Sequence, residues 1–224
     1  MSDLTIIYYT ANRTSEFFEK NIIQALKDVA GDSPIVSVSF KPMDLGENIV
    51  YQAEFPSAWH IYKQILVAAE KATTKYVACA EDDTVYTKEH LAFRPPDDTF
   101  AYNEGHIEIR FDNKFIHRGK RNMSTCIANR DLMVDTLRKR FEKYPIPLEP
   151  AQTGGFAEPG RYEWKLKLPP VKIMGFSTDP PPVVFWHRPS LGGIRALKSS
   201  DVITTDHPYW GNAKEMFDKF YKKP

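Results

Sequence analysis

Three consecutive carboxylates, Glu81-Asp82-Asp83, directly follow the apolar run Tyr76 to Ala80. Side by side they repel one another, and a cation among them relieves the repulsion. Carboxylate oxygens suit Mg2+ or Mn2+. Mg2+ typically binds through one or two carboxylates, with phosphate and water completing its shell. A metal held this way can bridge a diphosphate and stabilise its charge as it leaves. An acidic turn capping the next element is the plainer reading of the same residues. A second chemical cluster lies in VVFWHRPSLGG, where His187 follows an apolar run. Imidazole suits Mn2+ better than Mg2+, and a His that merely caps a strand is the competing reading. Arg188 and Arg195 flank the glycine-containing turn there, and arginine suits bidentate phosphate contacts.

Other chemistries find little support. The chain has neither a Gly-x-x-x-x-Gly-Lys loop nor a Gly-x-Gly-x-x-Gly loop, which weighs against an NTPase or a dinucleotide dehydrogenase. Two cysteines, Cys79 and Cys126, exclude a disulfide scaffold and a Cys-rich zinc site. Cys79 reads as a small buried strand residue. His60 sits within a helical pattern and reads as structural, while His106, His117 and His207 carry no assignment.

The elements that must position these residues alternate. Leu4 to Tyr9 reads as a buried strand, and the polar loop Thr10 to Thr14 leads to a helix capped by Thr14 or Ser15. Phe18, Ile22, Ala25, Leu26 and Val29 recur at helical spacing. Ile35 to Phe40 is a second strand, Ser57 to Ala72 a second helix with Trp59, Tyr62, Leu66 and Ala69 on one face, and Tyr76 to Ala80 a third strand. This alternation predicts an α/β fold with a mostly parallel sheet flanked by helices. Ligands of such sheets bind outside the carboxyl ends of the strands, where residues 10–14 and 81–83 fall. Beyond residue 100 the pattern loosens. Strands are expected at Phe100 to Tyr102, Ile107 to Phe111, Val171 to Phe176 and Val183 to Trp186. Asn129 to Lys143 is a helix with Arg138, Lys139 and Arg140 mostly outward. Pro145 to Gly160 is a long loop in the manner of a mobile lid, and Asn212 to Lys222 is a terminal helix.

Taken in order, these features resemble the GT-A type of nucleotide-sugar glycosyltransferase, close to glycosyltransferase family 2, in a bacterial and phage branch. The match rests on TIIYYTANR, VSFKPMDLGENI, Gln64 in WHIYKQILVAAEKA, KYVACAEDDTVY, FAYNEGH and HPYWGNA. Glu81 stands where the family's acidic motif has its first Asp. The resemblance implies a Rossmann-like, GT-A-like central sheet and UDP-sugar-dependent hexosyl transfer, with UDP-glucose or a related UDP-sugar as donor. It implies that Thr10, Asn12 and Arg13 line the nucleotide pocket, with Lys41, Asn48, Gln64 and Asp82 nearby. It implies that Asp83 ligates Mn2+ or Mg2+, that Glu81 reaches the ribose or the metal through water, and that His187 is a further ligand. An inverting transfer needs a carboxylate within roughly 2.6–3.2 Å of the acceptor hydroxyl. Glu158 and Glu163 flank Pro159-Gly160, and Glu158 is the preferred base; Asp131 is better read as a helix cap. A retaining enzyme needs no such base, and the sequence leaves the stereochemistry open.

Charge divides the chain. It has 224 residues and a formal net charge of +1. Residues 1–100 hold nine Lys+Arg against fifteen Asp+Glu, a net of −6, and residues 101–224 hold 21 against 14, a net of +7. The expected organisation is one domain, with a nucleotide-sugar-binding half (1–100) and an acceptor-binding half (101–224). Lys114, Arg118, Lys120 and Arg121 cluster among interspersed aromatics, a composition that suits phosphates and stacked bases. Double-stranded DNA carrying hydroxymethylated bases is therefore a candidate acceptor, reached by extruding the base. A glycan or lipid-linked acceptor is the alternative. A non-catalytic nucleic-acid- or glycan-binding protein and a nucleotidyltransferase are competing classes. No run approaches 18 apolar residues and no signal peptide is evident, so the expected location is cytoplasmic, in the host cytoplasm if viral. The sequence leaves the oligomeric state open.

Overall fold

A computed structural model describes residues 2–146, 156–161, 163–186 and 198–222. The chain opens with β1 (Leu4–Thr10), α1 (Glu16–Ala30), β2 (Ile35–Ser39), β3 (Glu47–Val50), α2 (Ala58–Lys71) and β4 (Tyr76–Glu81). It continues with β5 (Thr84–Val85), α3 (Lys88–Ala92), β6 (Thr99–Asn103), β7 (Ile107–Arg110) and β8 (Lys114–His117). A 3-10 turn (Met123–Thr125) leads into β9 (Cys126–Asn129) and α4 (Arg130–Lys143). The last described elements are α5 (Glu163–Leu166), β10 (Lys172–Phe176), β11 (Val183–Phe185), β12 (Val202–Thr204), β13 (Asp206–His207), β14 (Gly211–Asn212) and α6 (Ala213–Tyr221).

Seven strands form the central sheet in the order β10-β6-β9-β4-β1-β2-β3. β1, β2, β3 and β4 pair in parallel, β10 pairs in parallel with β6, and β9 runs antiparallel between β4 and β6. The α/β class and the mostly parallel sheet flanked by helices are as the sequence predicts. The sheet draws strands from both charge halves. Its winding runs outward from β1 to β3, then returns across α2 to place β4 on the other side of β1. β1 and β4 therefore border the point where the winding reverses, and the carboxyl ends of such strands are where the ligand crevice of an open α/β sheet lies.

Strand alternation sorts the core into two layers. Ile7, Tyr9, Val77 and Cys79 face α2 and α4. Leu4, Ile6, Tyr8, Ala78 and Ala80 face α1 and α3. Ser15 caps α1 by accepting the Phe18 N–H, and Phe18, Ile22 and Leu26 are buried along one face. Full burial of each such side chain stabilises by roughly 1.5–3 kcal/mol. A second, five-stranded sheet (β12-β8-β7-β11-β5), which the sequence did not reveal as a unit, packs with α1 and α6.

The buried histidine of α3 makes stability pH-dependent. His90 lies between the rings of Tyr86 and Phe176, and the Asn103 amide donates to its Nδ1 at 3.3 Å. Protonation would set a second donor against that amide, in a site without solvent. Burial, with His106 nearby, pushes the His90 pKa down to about 3. The unfolded chain binds this proton near pH 6.5, so between pH 6.5 and 3 it takes up more protons than the fold does. Stability must therefore fall as pH drops through that window, by about 2 kcal/mol at pH 5. Urea midpoints at pH 7.5 and pH 5 test this: His90→Phe should flatten the dependence, and an unchanged slope would refute the assignment.

Candidate functional site

The acidic triplet stands at the switch point between β1 and β4. Tyr9 is in register with Glu81, which brings Thr10 beside Asp82. The chain turns sharply at Asp82-Asp83 into β5, and the strand pleat sends Glu81 and Asp82 to opposite faces. Glu81 turns toward the α2 and α4 side, where the Tyr9 hydroxyl donates to Oε1 at 2.6 Å. Burial first, and then the Asp83 charge, push the Glu81 pKa well above the usual carboxylate range. Asp82 accepts the Thr10 hydroxyl. Asp83 is 9% exposed, its Oδ1 accepts the Thr84 hydroxyl at 2.9 Å, and its carbonyl accepts the Phe185 N–H at 2.7 Å. The turn is thus anchored to the end of β11.

Tyr8 and Tyr221 face the Asp82 and Asp83 carboxylates. Their hydroxyl oxygens are buried and have no hydrogen-bond partner among the described residues. Burial first, and then the Asp82 and Glu19 charges, push the Tyr8 phenol up; burial first, and then the Asp83 and Asp82 charges, push Tyr221 up. A buried polar group without a partner is costly. These two hydroxyls therefore suit the hydration shell of a cation, or a ligand's oxygens, beside the two aspartates. Sequence reading missed both tyrosines, because Tyr8 sits in an apolar strand and Tyr221 in an amphipathic helix. Among the described residues no three His, Cys, Asp or Glu side chains are grouped to hold a metal ion. A site of one or two carboxylates completed by phosphate and water is the arrangement typical of Mg2+.

The loop after β1 is built around Asn12, which has a positive φ of 49°. Its backbone N–H donates to the Thr10 hydroxyl, its amide to Glu19, and its Oδ1 accepts the Lys41 N–H at 2.9 Å. Asn12 therefore ties the β1 loop to the β2 loop, and the exposed Arg13 side chain lies beside it. Lys41 is exposed as well. Gln64 is 1% exposed, and its amide donates to the carbonyls of Thr10 and Val38. It clamps the ends of β1 and β2 from below. The Asn48 amide donates to both Ser37 and Ser39 hydroxyls, and its Oδ1 accepts the Met43 N–H. Gln64 and Asn48 thus act on the crevice by shaping its rim.

Glu158 approaches from the other flank. Its charge helps to raise the pKa values of Glu81, Tyr62 and Tyr102, which places it above the α2 and α4 side of the crevice. Its Oε2 lies 3.0 Å from Arg161 Nη1. The described part of the expected lid, residues 156–161, is closely packed. Gly160 has φ 86°, and a Cβ there would stand 2.2 Å from Ile173 Cγ2. Gly160→Ala should therefore cost about 1–3 kcal/mol through overpacking and backbone strain. A urea midpoint equal to that of the unmodified protein would contradict this. Residues 147–155 lie outside the described residues, as do His187, Arg188 and Arg195.

The sequence matches no family model and no curated protein. Three solved structures show the range of its likenesses. The chain is 14% identical to S. aureus TarS 1–349 in complex with UDP-GlcNAc, covering 86% of this chain and 61% of that one, with a TM-score of 0.47. It is 10% identical to a glycosyltransferase involved in glycosylation of the major capsid of PBCV-1, covering 78% and 81%, with a TM-score of 0.47. It is 16% identical to a nucleotidyl transferase from Methanothermobacter thermautotroptrophicus, covering 60% and 75%, with a TM-score of 0.40. Each is a protein to which the chain is similar.

Arg138 and Lys139 point outward as expected, but two of the basic residues, Arg118 and Arg140, are buried. Arg118 is buried: its Nε lies 3.1 Å from Glu108 and 3.7 Å from Asp201, and its guanidinium stacks 5.4 Å from the Trp186 ring. Arg121 Nε lies 3.4 Å from Glu104, and Lys114 is exposed. Lys120 is half-buried. Arg140, expected to point outward from α4, is 0% exposed and ion-paired with Glu163. In both arginine cases a carboxylate distant in sequence makes burial possible. Among the described residues no helix is long and apolar enough to cross a membrane.

Proposed function

We propose that the protein is a glycosyltransferase that moves a sugar from a nucleotide sugar, with a UDP-sugar as the leading donor, to an acceptor hydroxyl. The observation that carries this reading is the switch-point crevice. It brings Asp82, Asp83 and the buried Tyr8 and Tyr221 hydroxyls, which have no hydrogen-bond partner among the described residues, to the same strand ends as Glu81, on which the Asp83 and Glu158 charges both act. In this reading Asp83 and Asp82 hold Mn2+ or Mg2+, and the tyrosine hydroxyls meet its water or the phosphate oxygens. The bound cation would supply charge neutralisation for a departing diphosphate. Thr10, Asn12 and the exposed Arg13 border the nucleotide, while Gln64 and Asn48 hold that border in shape. His187, Arg188 and Arg195 are assigned to the metal and diphosphate from sequence alone. Glu158 takes the proton from the acceptor hydroxyl, and Glu81 shapes the electrostatics opposite it.

The acceptor is a hydroxyl on a hydroxymethylated base of double-stranded DNA or on a glycan or lipid-linked molecule. With Arg118 buried in an ion pair, the DNA reading rests on Lys114, Lys120 and Arg121. Calorimetric titration with UDP-glucose and UDP-GlcNAc, in Mn2+ and again in chelator, tests the donor site. Binding that requires the cation supports the reading. Absence of binding to every nucleotide sugar, with salt-sensitive DNA binding instead, would favour a non-catalytic binding protein.

A further inference from the structure

Glu158 sits between two peptide groups that are held by buried side chains from other parts of the chain. The carbonyl before it, on Ala157, accepts Arg140 Nη1 at 2.7 Å. The carbonyl after it, on Pro159, accepts the Tyr102 hydroxyl at 2.9 Å. Arg140 and Tyr102 are both 0% exposed. The second terminal nitrogen of Arg140 is paired with Glu163, and its guanidinium lies 5.6 Å from the Tyr62 ring. Within the segment, the Arg161 N–H donates to the Glu158 carbonyl at 3.1 Å.

A buried arginine costs several kcal/mol unless it is paired, so apolar filler would serve packing alone at least as well. What this arginine and tyrosine do that filler cannot is bond to the carbonyls of the two residues that flank Glu158, Ala157 and Pro159. Neither reaches solvent, so neither meets an acceptor directly. We propose that Arg140 and Tyr102 are positioning residues for Glu158: they hold the peptide before it and the peptide after Pro159, and so fix the short segment that carries its carboxylate. This rests on the reading of Glu158 as the base. Reaction rates are steep in such geometry, and displacement by about 1 Å can cost about 10²-fold.

Two variants separate positioning from folding. Tyr102→Phe removes only the hydroxyl that holds Pro159. Arg140→Met with Glu163→Leu replaces the buried ion pair by apolar volume and releases Ala157. Both are measured against the unmodified protein by amide hydrogen exchange across residues 156–161. Both are also assayed for UDP release from UDP-glucose and UDP-GlcNAc, with water, hydroxymethylated duplex DNA or a glycan as acceptor. The expected result is faster exchange confined to 156–161 and a fall in kcat of about 10- to 100-fold, with the donor KM within about twofold. Exchange and kcat unchanged in both variants would overturn the proposal. So would a rise in donor KM that matches the fall in kcat. Glu158→Gln is assayed in parallel. If it retains full turnover, the base reading fails, while the exchange measurement still decides whether Arg140 and Tyr102 hold the segment.

Discussion

Asp83→Asn should lower sugar transfer by about 10³-fold while leaving the fold intact. The size follows from the chemistry assigned to the site. A cation that neutralises a departing diphosphate contributes several kcal/mol, and each 1.36 kcal/mol is tenfold in rate. The selectivity follows from the structure. Asn keeps an oxygen to accept the Thr84 hydroxyl, and the carbonyl that accepts the Phe185 N–H is backbone. The turn should therefore survive the loss of charge. Activity remaining in the variant should also respond less to added Mn2+ than that of the unmodified protein. Thermal unfolding and metal titration of the rate check both halves of this expectation. A variant with undiminished, metal-responsive turnover would remove Asp83 from the metal site.

The largest expected effect on stability lies at the α4 ion pair. Glu163→Ala leaves the Arg140 guanidinium charged and enclosed, with Tyr62 beside it and no carboxylate. Breaking a buried pair on one side costs about 3–5 kcal/mol, which for a chain of this size lowers Tm by roughly 6–20 °C. Replacing both members, as in Arg140→Met with Glu163→Leu, should leave stability within about 1 kcal/mol of the original, because no charge is stranded and apolar volume offsets the lost hydrogen bond to Ala157 and the lost contact with Tyr62. Calorimetric unfolding of the two variants side by side decides the matter. Equal destabilisation by both would mean that volume, and not stranded charge, governs the site.

The parts of this fold that could be read in the sequence are those whose signal is local. β1, α1, β2, α2 and β4 each carry their own periodicity and caps, and their alternation is enough to place Thr10 and Asp83 at the carboxyl edge of one sheet. β3 escaped because Glu47 to Val50 is a short edge strand without a buried face. β9 escaped because four residues, Cys126 to Asn129, offer too short a pattern, and their antiparallel direction is set by neighbours on both sides. The burial of Arg140 and Arg118 is not legible locally, because the carboxylates that accompany them, Glu163, Glu108 and Asp201, lie on other elements. The separation of Glu81 from Asp82 is legible in principle, since adjacent strand residues point to opposite faces. What hid it was reading the three carboxylates as one cluster. Tyr8 and Tyr221 were invisible as site residues for a different reason. Only the packing shows that their hydroxyl ends are buried near two aspartates, without a hydrogen-bond partner among the described residues.

The central claim is that a sugar leaves a nucleoside diphosphate in this crevice and joins an acceptor hydroxyl. The most direct test incubates the protein with Mn2+, a mixture of UDP-sugars and nucleoside triphosphates, and separate acceptors including hydroxymethylated duplex DNA and a glycan. Each acceptor is then weighed intact and the released nucleotide identified. The expected result is one acceptor heavier by a single sugar residue, with equimolar UDP, and neither product in chelator or with Asp83→Asn. Pyrophosphate release with nucleotide added to the acceptor would contradict the claim and assign the crevice to nucleotidyl transfer.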